Sequence, residues 1–217
     1  MFRLYIINTF PYICKKEIKM KTLATLIFIL VTFISNAQTS LDRKVFDKVN
    51  EYRVSINIPK LEWDSSAYKA AYFQSSYLKV VGDTLSHKNP KKGYESPSDR
   101  YKMVGGIPKQ TKISDGVSYQ SVGEITNSII TKDYPAPPEY SEEMAETIAA
   151  AAIVDVWKGS SDHKKIMTSK KFSFAGCSTA GYKMEYKEIN KWNKEKKIFE
   201  KKKVYILTGI SVMVLVN

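Results

Sequence analysis

Only two histidines occur in 217 residues. They are the side chains best suited to chemistry near neutral pH, because imidazole exchanges protons there and can bind metals through either nitrogen. His163 lies in Trp157-Lys-Gly-Ser-Ser-Asp-His163-Lys-Lys-Ile-Met167, and His87 lies in Leu85-Ser-His87-Lys-Asn-Pro90. Glu124, in Val122-Gly-Glu-Ile125, is the carboxylate considered as their partner. Ser86 precedes His87, and Ser160 and Ser161 precede His163, but adjacency in sequence does not make a nucleophile–base pair. The chain has no G-x-S-x-G elbow and no H-E-x-x-H pair, so spacing alone assigns neither a hydrolase nor a metal site.

Positioning such side chains requires a folded frame, and hydrophobic periodicity outlines one. Leu41, Val45, Phe46, Val49 and Tyr52 recur at helical spacing behind Thr39-Ser40, predicting an amphipathic helix to Arg53 that ends before Pro59. Asp64 caps a second predicted helix, Ser65 to about Val81, with Ala67, Ala70, Ala71, Tyr72, Ser75 and Leu78 as its inner stripe. A short helix is expected from Tyr101 to Val104, closed by Gly105-Gly106. Residues 107–120 read as loop, and Lys132 to Tyr140 as an exposed Pro-rich excursion. An Ala-rich helix follows from Ser141 to Trp157. Strands are predicted from Phe172 to Tyr186 and from Val204 to Val216, joined by a long, solvated, lysine-rich tip from Lys187 to Lys203. Helices first and strands last, with no βαβ alternation, indicate an α+β domain with an antiparallel sheet.

The first 37 residues read as a targeting signal. Lys19-Met-Lys21 is a basic start, Leu23 to Ile34 an apolar run too short to span a bilayer comfortably, and Ser35-Asn-Ala37 a signal-peptidase site. The expected arrangement is therefore a leader over residues 1–37, with Met20 as its natural start, and a single domain over 38–217, secreted or periplasmic. Cleavage after Ala37 would lower the formal charge from +12 to +8 and leave Cys177 as the one thiol, so stability must come from packing rather than a disulfide. Cys177, in Phe174-Ala-Gly-Cys-Ser178, is expected to be a small buried hydrophobe.

Several of these segments, taken in order, resemble the CAP superfamily: the cysteine-rich secretory, antigen 5 and pathogenesis-related 1 proteins, also called the SCP domain. The likeness is strongest to its compact bacterial secreted branch. It rests on Val49-Asn-Glu-Tyr-Arg53 with Leu61-Glu-Trp-Asp64, Ser86-His87, Asp99-Arg100 ahead of Gly105, Gly123-Glu124, the Trp157–His163–Met167 stretch, and Phe174-Ala-Gly-Cys177. Together they cover about residues 41–217. The resemblance implies an α-β-α sandwich, with a central antiparallel sheet flanked by helices, and a cleft where His87, Glu124 and His163 converge. Two departures stand out. Ile125 replaces the asparagine of the family's G-E-N. Ser160 stands where animal and plant members carry a second acidic residue.

Two imidazoles and a carboxylate would make an open Zn²⁺ site, weakened here by the missing second acid. The competing expectation requires no cofactor: Glu124 accepts hydrogen bonds from one or both rings and helps hold the loops. With Ser160 in the acidic position, the resemblance implies a non-catalytic binding role, for a lipid, a wall component or a protein ligand, and no residue is assigned to catalysis. The alternative is a metal-assisted or histidine-dependent hydrolase of the peptidase or esterase kind. The cationic tip between Lys187 and Lys203 could meet an anionic surface, with Trp192 as its contact residue, although mixed charge runs are commonly just solvated. No nucleic-acid motif is present, and export argues against that partner.

Overall fold

Helix α1, Ser40–Ser55, begins where Thr39 Oγ1 accepts the Asp42 amide at 3.2 Å. Its residues Leu41, Val45, Phe46 and Val49 are buried, as their spacing requires. The computed structural model describes residues 39–82, 85–112, 118–120, 122–135 and 141–217; the leader expected over residues 1–37 lies outside them. After α1 come β1 (Glu62–Trp63), α2 (Ser65–Val81), α3 (Pro97–Met103), β2 (Gln110–Lys112), β3 (Ser118–Gln120), β4 (Val122–Pro135), α4 (Glu142–Gly159), α5 (Ser161–Met167), β5 (Phe174–Asn193) and β6 (Ile198–Val216).

The main sheet has the order β1-β5-β6-β4. Its long pairings are antiparallel, but β1 joins β5 in parallel at Glu62↔Phe174 and Trp63↔Ala175, so the sheet is mixed rather than wholly antiparallel. Strand alternation sorts the core into two sides. Met213, Leu215, Ala175, Cys177 and Ile125 pack with α1 and α4 around Trp157. Val212, Val214 and Val216 pack with α2 through Ala67, Ala70, Ala71 and Leu78. Helices therefore cover both faces of the α+β sheet, forming an α-β-α sandwich. Cys177 is fully buried on the Trp157 side, where burial raises its thiol pKa well above the ordinary value, the behaviour of a core hydrophobe.

The predicted inner stripe of α2 is correct at its small residues and wrong at Tyr72, which is 51% exposed. Gln74 takes the buried place, because its amide has partners there: Nε2 donates to the Ser86 carbonyl at 2.5 Å. The short helix α3 starts four residues earlier than expected, with Ser96 and Asp99 forming a capping box around Pro97. Part of the expected 107–120 loop is a β2–β3 ladder, and β4 runs on through Lys132 to Pro135. The proline content suggested a loop, but β4 is an edge strand, where a missing amide donor is tolerated. The remaining excursion, 136–140, lies outside the described residues. The largest correction is the lysine-rich connection: β5 and β6 stay paired as far as Asn193↔Ile198.

Buried polar groups fasten the layers together. Asn50 Nδ2 donates to the Leu61 carbonyl at 3.0 Å while its Oδ1 accepts the Leu61 amide at 2.8 Å. Arg53, 1% exposed, donates to the carbonyls of Pro59 (2.8 Å), Met167 (2.7 Å) and Ser169 (3.1 Å). The family-like Asn50 and Arg53 are thus framework residues that tie α1 to β1 and to the end of α5. Asp42 accepts the Thr179 amide of β5 at 2.7 Å, and burial lifts its carboxyl pKa to about 6.

At Gly176 the α2 backbone lies directly against β5: a Cβ there would fall 2.0 Å from the Tyr68 nitrogen. Gly176→Ala is therefore expected to lower unfolding free energy by about 3 kcal/mol, because a backbone neighbour cannot swing aside. Gly159→Ala, where a Cβ meets nothing within 4 Å, is expected to change it by less than about 0.5 kcal/mol. Urea midpoints for the two variants check this contrast, and similar losses at both sites would contradict it.

Candidate functional site

The site begins with the pleat of β4. Ile125 points into the Trp157 side of the core, so its neighbour Glu124 projects from the opposite face of the strand. Ile125, which stands where the resemblance would place an asparagine, is thus a core residue of this chain. Gly123 permits the next approach: a Cβ there would sit 2.8 Å from the Phe172 ring and 3.1 Å from Ile166. Its absence lets α5, which carries His163, close against β4.

Glu124 is buried and both of its oxygens are engaged. Arg100, delivered by α3, donates through Nη2 to Oε2 at 2.5 Å, and both side chains are wholly buried. Oε1 lies 3.0 Å from His87 Nδ1. A carboxylate only accepts, so Nδ1 donates, and Nε2 is the nitrogen of the half-exposed ring that Glu124 leaves uncommitted. The same guanidinium donates to the His87 carbonyl from Nη1 (3.3 Å) and Nη2 (3.2 Å), and to the Tyr94 carbonyl at 2.9 Å. Arg100 thus neutralises Glu124 and fixes the backbone of the histidine that Glu124 also holds. Gln74 and Asn89 support the same loop, with Asn89 Nδ2 donating to Gln74 Oε1 at 3.3 Å and Gln74 to Ser86.

His163 completes the group from the other side. The Trp157–Met167 stretch forms the end of α4, a one-residue break and α5. Ser160 caps α5 by accepting the His163 amide at 3.5 Å. Partial burial lowers the His163 pKa first, and the nearby His87 lowers it further, while Asp162 opposes both. The structure therefore brings His87 and Glu124 into direct contact and sets His163 within electrostatic range of His87. Ser160 serves the backbone of α5. The participant that sequence reasoning missed is Arg100. It appeared only within the Asp99-Arg100 likeness, and nothing in that pair shows that its guanidinium reaches a strand 24 residues away.

A Zn²⁺ ion here would draw on one nitrogen of each imidazole and on a Glu124 oxygen that already accepts a hydrogen bond. Glu124 gives one oxygen to Arg100 and the other to His87, while His87 Nδ1 is committed to Glu124. Two imidazole nitrogens are uncommitted, and the third ligand of an open zinc site would have to be a Glu124 oxygen shared with Arg100 or His87. Among the described residues, no group of three or more His, Cys, Asp or Glu side chains is disposed to hold a metal ion. Neither Ser86 nor Ser160 is hydrogen-bonded to an imidazole nitrogen. Ser86 Oγ accepts the Lys88 amide at 3.0 Å, and Ser160 Oγ serves as the cap.

A sequence model of the cysteine-rich secretory protein (CAP) family matches residues 46–192. Among solved structures, an extracellular SCP-domain protein from Bacillus anthracis str. Ames is similar at 16% identity and TM-score 0.49, with 82% of this chain and 40% of that protein covered. This chain thus spans less than half of that protein's length. An outer surface protein from Borrelia burgdorferi is similar at 16% identity and TM-score 0.47, with 83% of this chain and 95% of that protein covered. No curated protein matches.

Arg100→Met leaves a carboxylate buried opposite a half-exposed imidazole, and is expected to cost about 3–5 kcal/mol of unfolding free energy. Adding Glu124→Gln should recover about half of that loss, because no unpaired charge remains; a single-variant loss below about 1 kcal/mol would show that water already compensates the pair. His163 provides a pH test. Its folded pKa is lowered, so the unfolded chain takes up the proton first, and the stability present at pH 7 is lost as pH falls from the ordinary histidine range through the lowered folded value. The drop in thermal midpoint between pH 7 and pH 5.5 should accordingly be smaller in His163→Gln than in the wild type, and an equal drop would rule the effect out.

Proposed function

The chain belongs to the CAP, or cysteine-rich secretory protein, family, and from that premise we propose that it works outside the cytoplasm as a non-catalytic binding domain. Its ligand is a lipid, a wall component or a protein, met at the surface formed around His87 and His163. The observation that carries this reading is the double engagement of Glu124 by Arg100 at 2.5 Å and His87 at 3.0 Å. A general base must be able to accept a proton from a substrate or a water, and a metal ligand must present a lone pair. Glu124 is instead buried, and its contacts hold the His87 loop. The half-exposed His87 ring and the partly exposed His163 then offer a polar recognition surface on a preorganised frame.

Ser160 supports the same conclusion. Where other members carry a second acid, this chain has a hydroxyl that caps a helix, so no further carboxylate is supplied to a cation or a substrate at that position. The hydrolase reading would require an activated nucleophile within reach of an imidazole, and the Ser86 and Ser160 hydroxyls are bound to backbone amides. Export is supported by the basic Lys19–Lys21 start, the apolar run from Leu23 to Ile34 and the small residues before Gln38.

Thermal unfolding of the purified chain with and without excess Zn²⁺ tests the proposal. The midpoint should stay unchanged, because a ligand that does not bind the native state cannot stabilise it. A rise of several degrees that disappears in His163→Ala would establish a metal site and overturn the metal-free reading. Ester and peptide substrates should likewise be turned over no faster by the wild type than by His87→Ala.

A further inference from the structure

The feature that the histidine site does not explain is the far end of the β5–β6 hairpin. Among the described residues strand β4 stays with β6 as far as Pro135↔Val204, whereas β5 and β6 continue through Glu188↔Lys203 to Asn193↔Ile198. The last six rungs therefore form a two-stranded ribbon, extending about 20 Å beyond the three-stranded part of the sheet. A bare ribbon with both faces in water is only marginally stable, so its persistence here draws attention to what its end carries.

The ribbon ends in an ordered, amphipathic cluster. Asn193 Oδ1 accepts the amides of Glu195 (3.0 Å) and Lys196 (3.1 Å), and Lys197 takes a left-handed φ of 51°, which closes the turn. Immediately behind the turn, Trp192 and Phe199 face each other across the strands, with ring centroids 5.0 Å apart. Trp192 is 47%, Ile198 49% and Phe199 69% exposed. Lys191, Lys194, Lys196 and Lys197 surround them at the exposed end. From Lys187 to Lys203 there are eight lysines against three glutamates, with Lys196 paired to Glu200 and Lys201 to Glu188.

We propose that this hairpin end docks on the surface of an anionic phospholipid bilayer, with Trp192, Phe199 and Ile198 entering the interfacial layer and the flanking lysines lying at the headgroups. Aromatic rings with one wet edge favour that depth, and lysine stems bury their methylenes while the ammonium groups remain among the phosphates. Each lysine near an anionic surface adds about a fivefold gain in partitioning. A purely polyanionic partner, such as an acidic polysaccharide, would use the lysines but give no reason to hold three large apolar side chains in water at the tip. The inference does not depend on the reading of the histidine site.

Brominated lipids test it at the residue concerned. With the full chain and vesicles of phosphatidylglycerol and phosphatidylcholine brominated in the acyl chains, tryptophan emission should shift to the blue and be quenched. Trp157 is fully buried, and Trp63 sits beneath Arg43 beside Ala175, at the end of β5 remote from the hairpin tip, so the quenching should disappear in Trp192→Phe while the thermal midpoint stays unchanged. Lys194→Gln with Lys197→Gln should weaken vesicle binding roughly 30-fold with Trp192 intact, and added salt should do the same. Absence of quenching on anionic vesicles would overturn the proposal, as would quenching that persists in Trp192→Phe. Retention on heparin that is unaffected by Trp192→Ser/Phe199→Ser, without vesicle binding, would assign the tip to a polyanion instead.

Discussion

The contact between Arg100 and Glu124 sets the terms for the rest of the site. Both side chains are fully buried, and a charge without water is tolerated only when a partner and hydrogen bonds replace it. That requirement obliges α3 to lie against β4. It also obliges the loop carrying His87 to present its carbonyl to the guanidinium and its ring to the carboxylate. Gln74 and Asn89 extend the same network into α2, so a side chain on one helix helps fix the loop before the next. The cluster therefore shapes the surface on which the two histidines stand.

A second buried arginine plays a matching role away from the histidines. Arg53 gathers the carbonyls of Pro59, of Met167 at the end of α5 and of Ser169 just past it. It thereby locks the helix bearing His163 to α1, while Asn50 locks α1 to the strand that opens the sheet. The two arginines act on opposite sides of the site: one holds the His87 loop, the other the end of the His163 helix. The proposed binding would rest on rigidity assembled from elements far apart in the chain, which lowers the ordering cost of a ligand.

The hairpin arm follows a different physical logic. Its inner part shares β6 with β4 and the helices, but beyond Val204 the described contacts are cross-strand pairing, the Trp192–Phe199 rings and the Lys196–Glu200 and Lys201–Glu188 ion pairs. Its lysines at first suggested a solvated loop, because charge runs usually are one. Alternation is weak there: Lys201-Lys-Lys203 contains no apolar residue to mark a face, so period-2 reading ends the strands too early. Pairing with the opposite strand, rather than burial, keeps this segment extended. The same weakness hides the end of β4, Lys132 to Pro135, where an edge position accommodates Pro135 without a lost ladder bond.

Much of the frame was legible in the sequence because local rules sufficed for it. Thr39, Asp64 and Ser141 cap helices at the places their neighbours imply, and the Ala67–Ala70–Ala71 stripe of α2 faces the sheet because only small residues permit that approach. Val212 to Val216 alternate between two cores as a doubly covered strand must. Tyr72 and Gln74 mark the limit. Hydrophobicity placed the tyrosine inside, but the buried acceptor at Ser86 made the glutamine the better fit, and that acceptor lies on another segment. The functional consequence of Glu124 lay beyond sequence for the same reason. Residue type and likeness identified it, together with His87 and His163, as a candidate ligand or base. Whether its oxygens were free depended on Arg100 crossing from α3, a contact that no local pattern encodes and that only the packed chain decides.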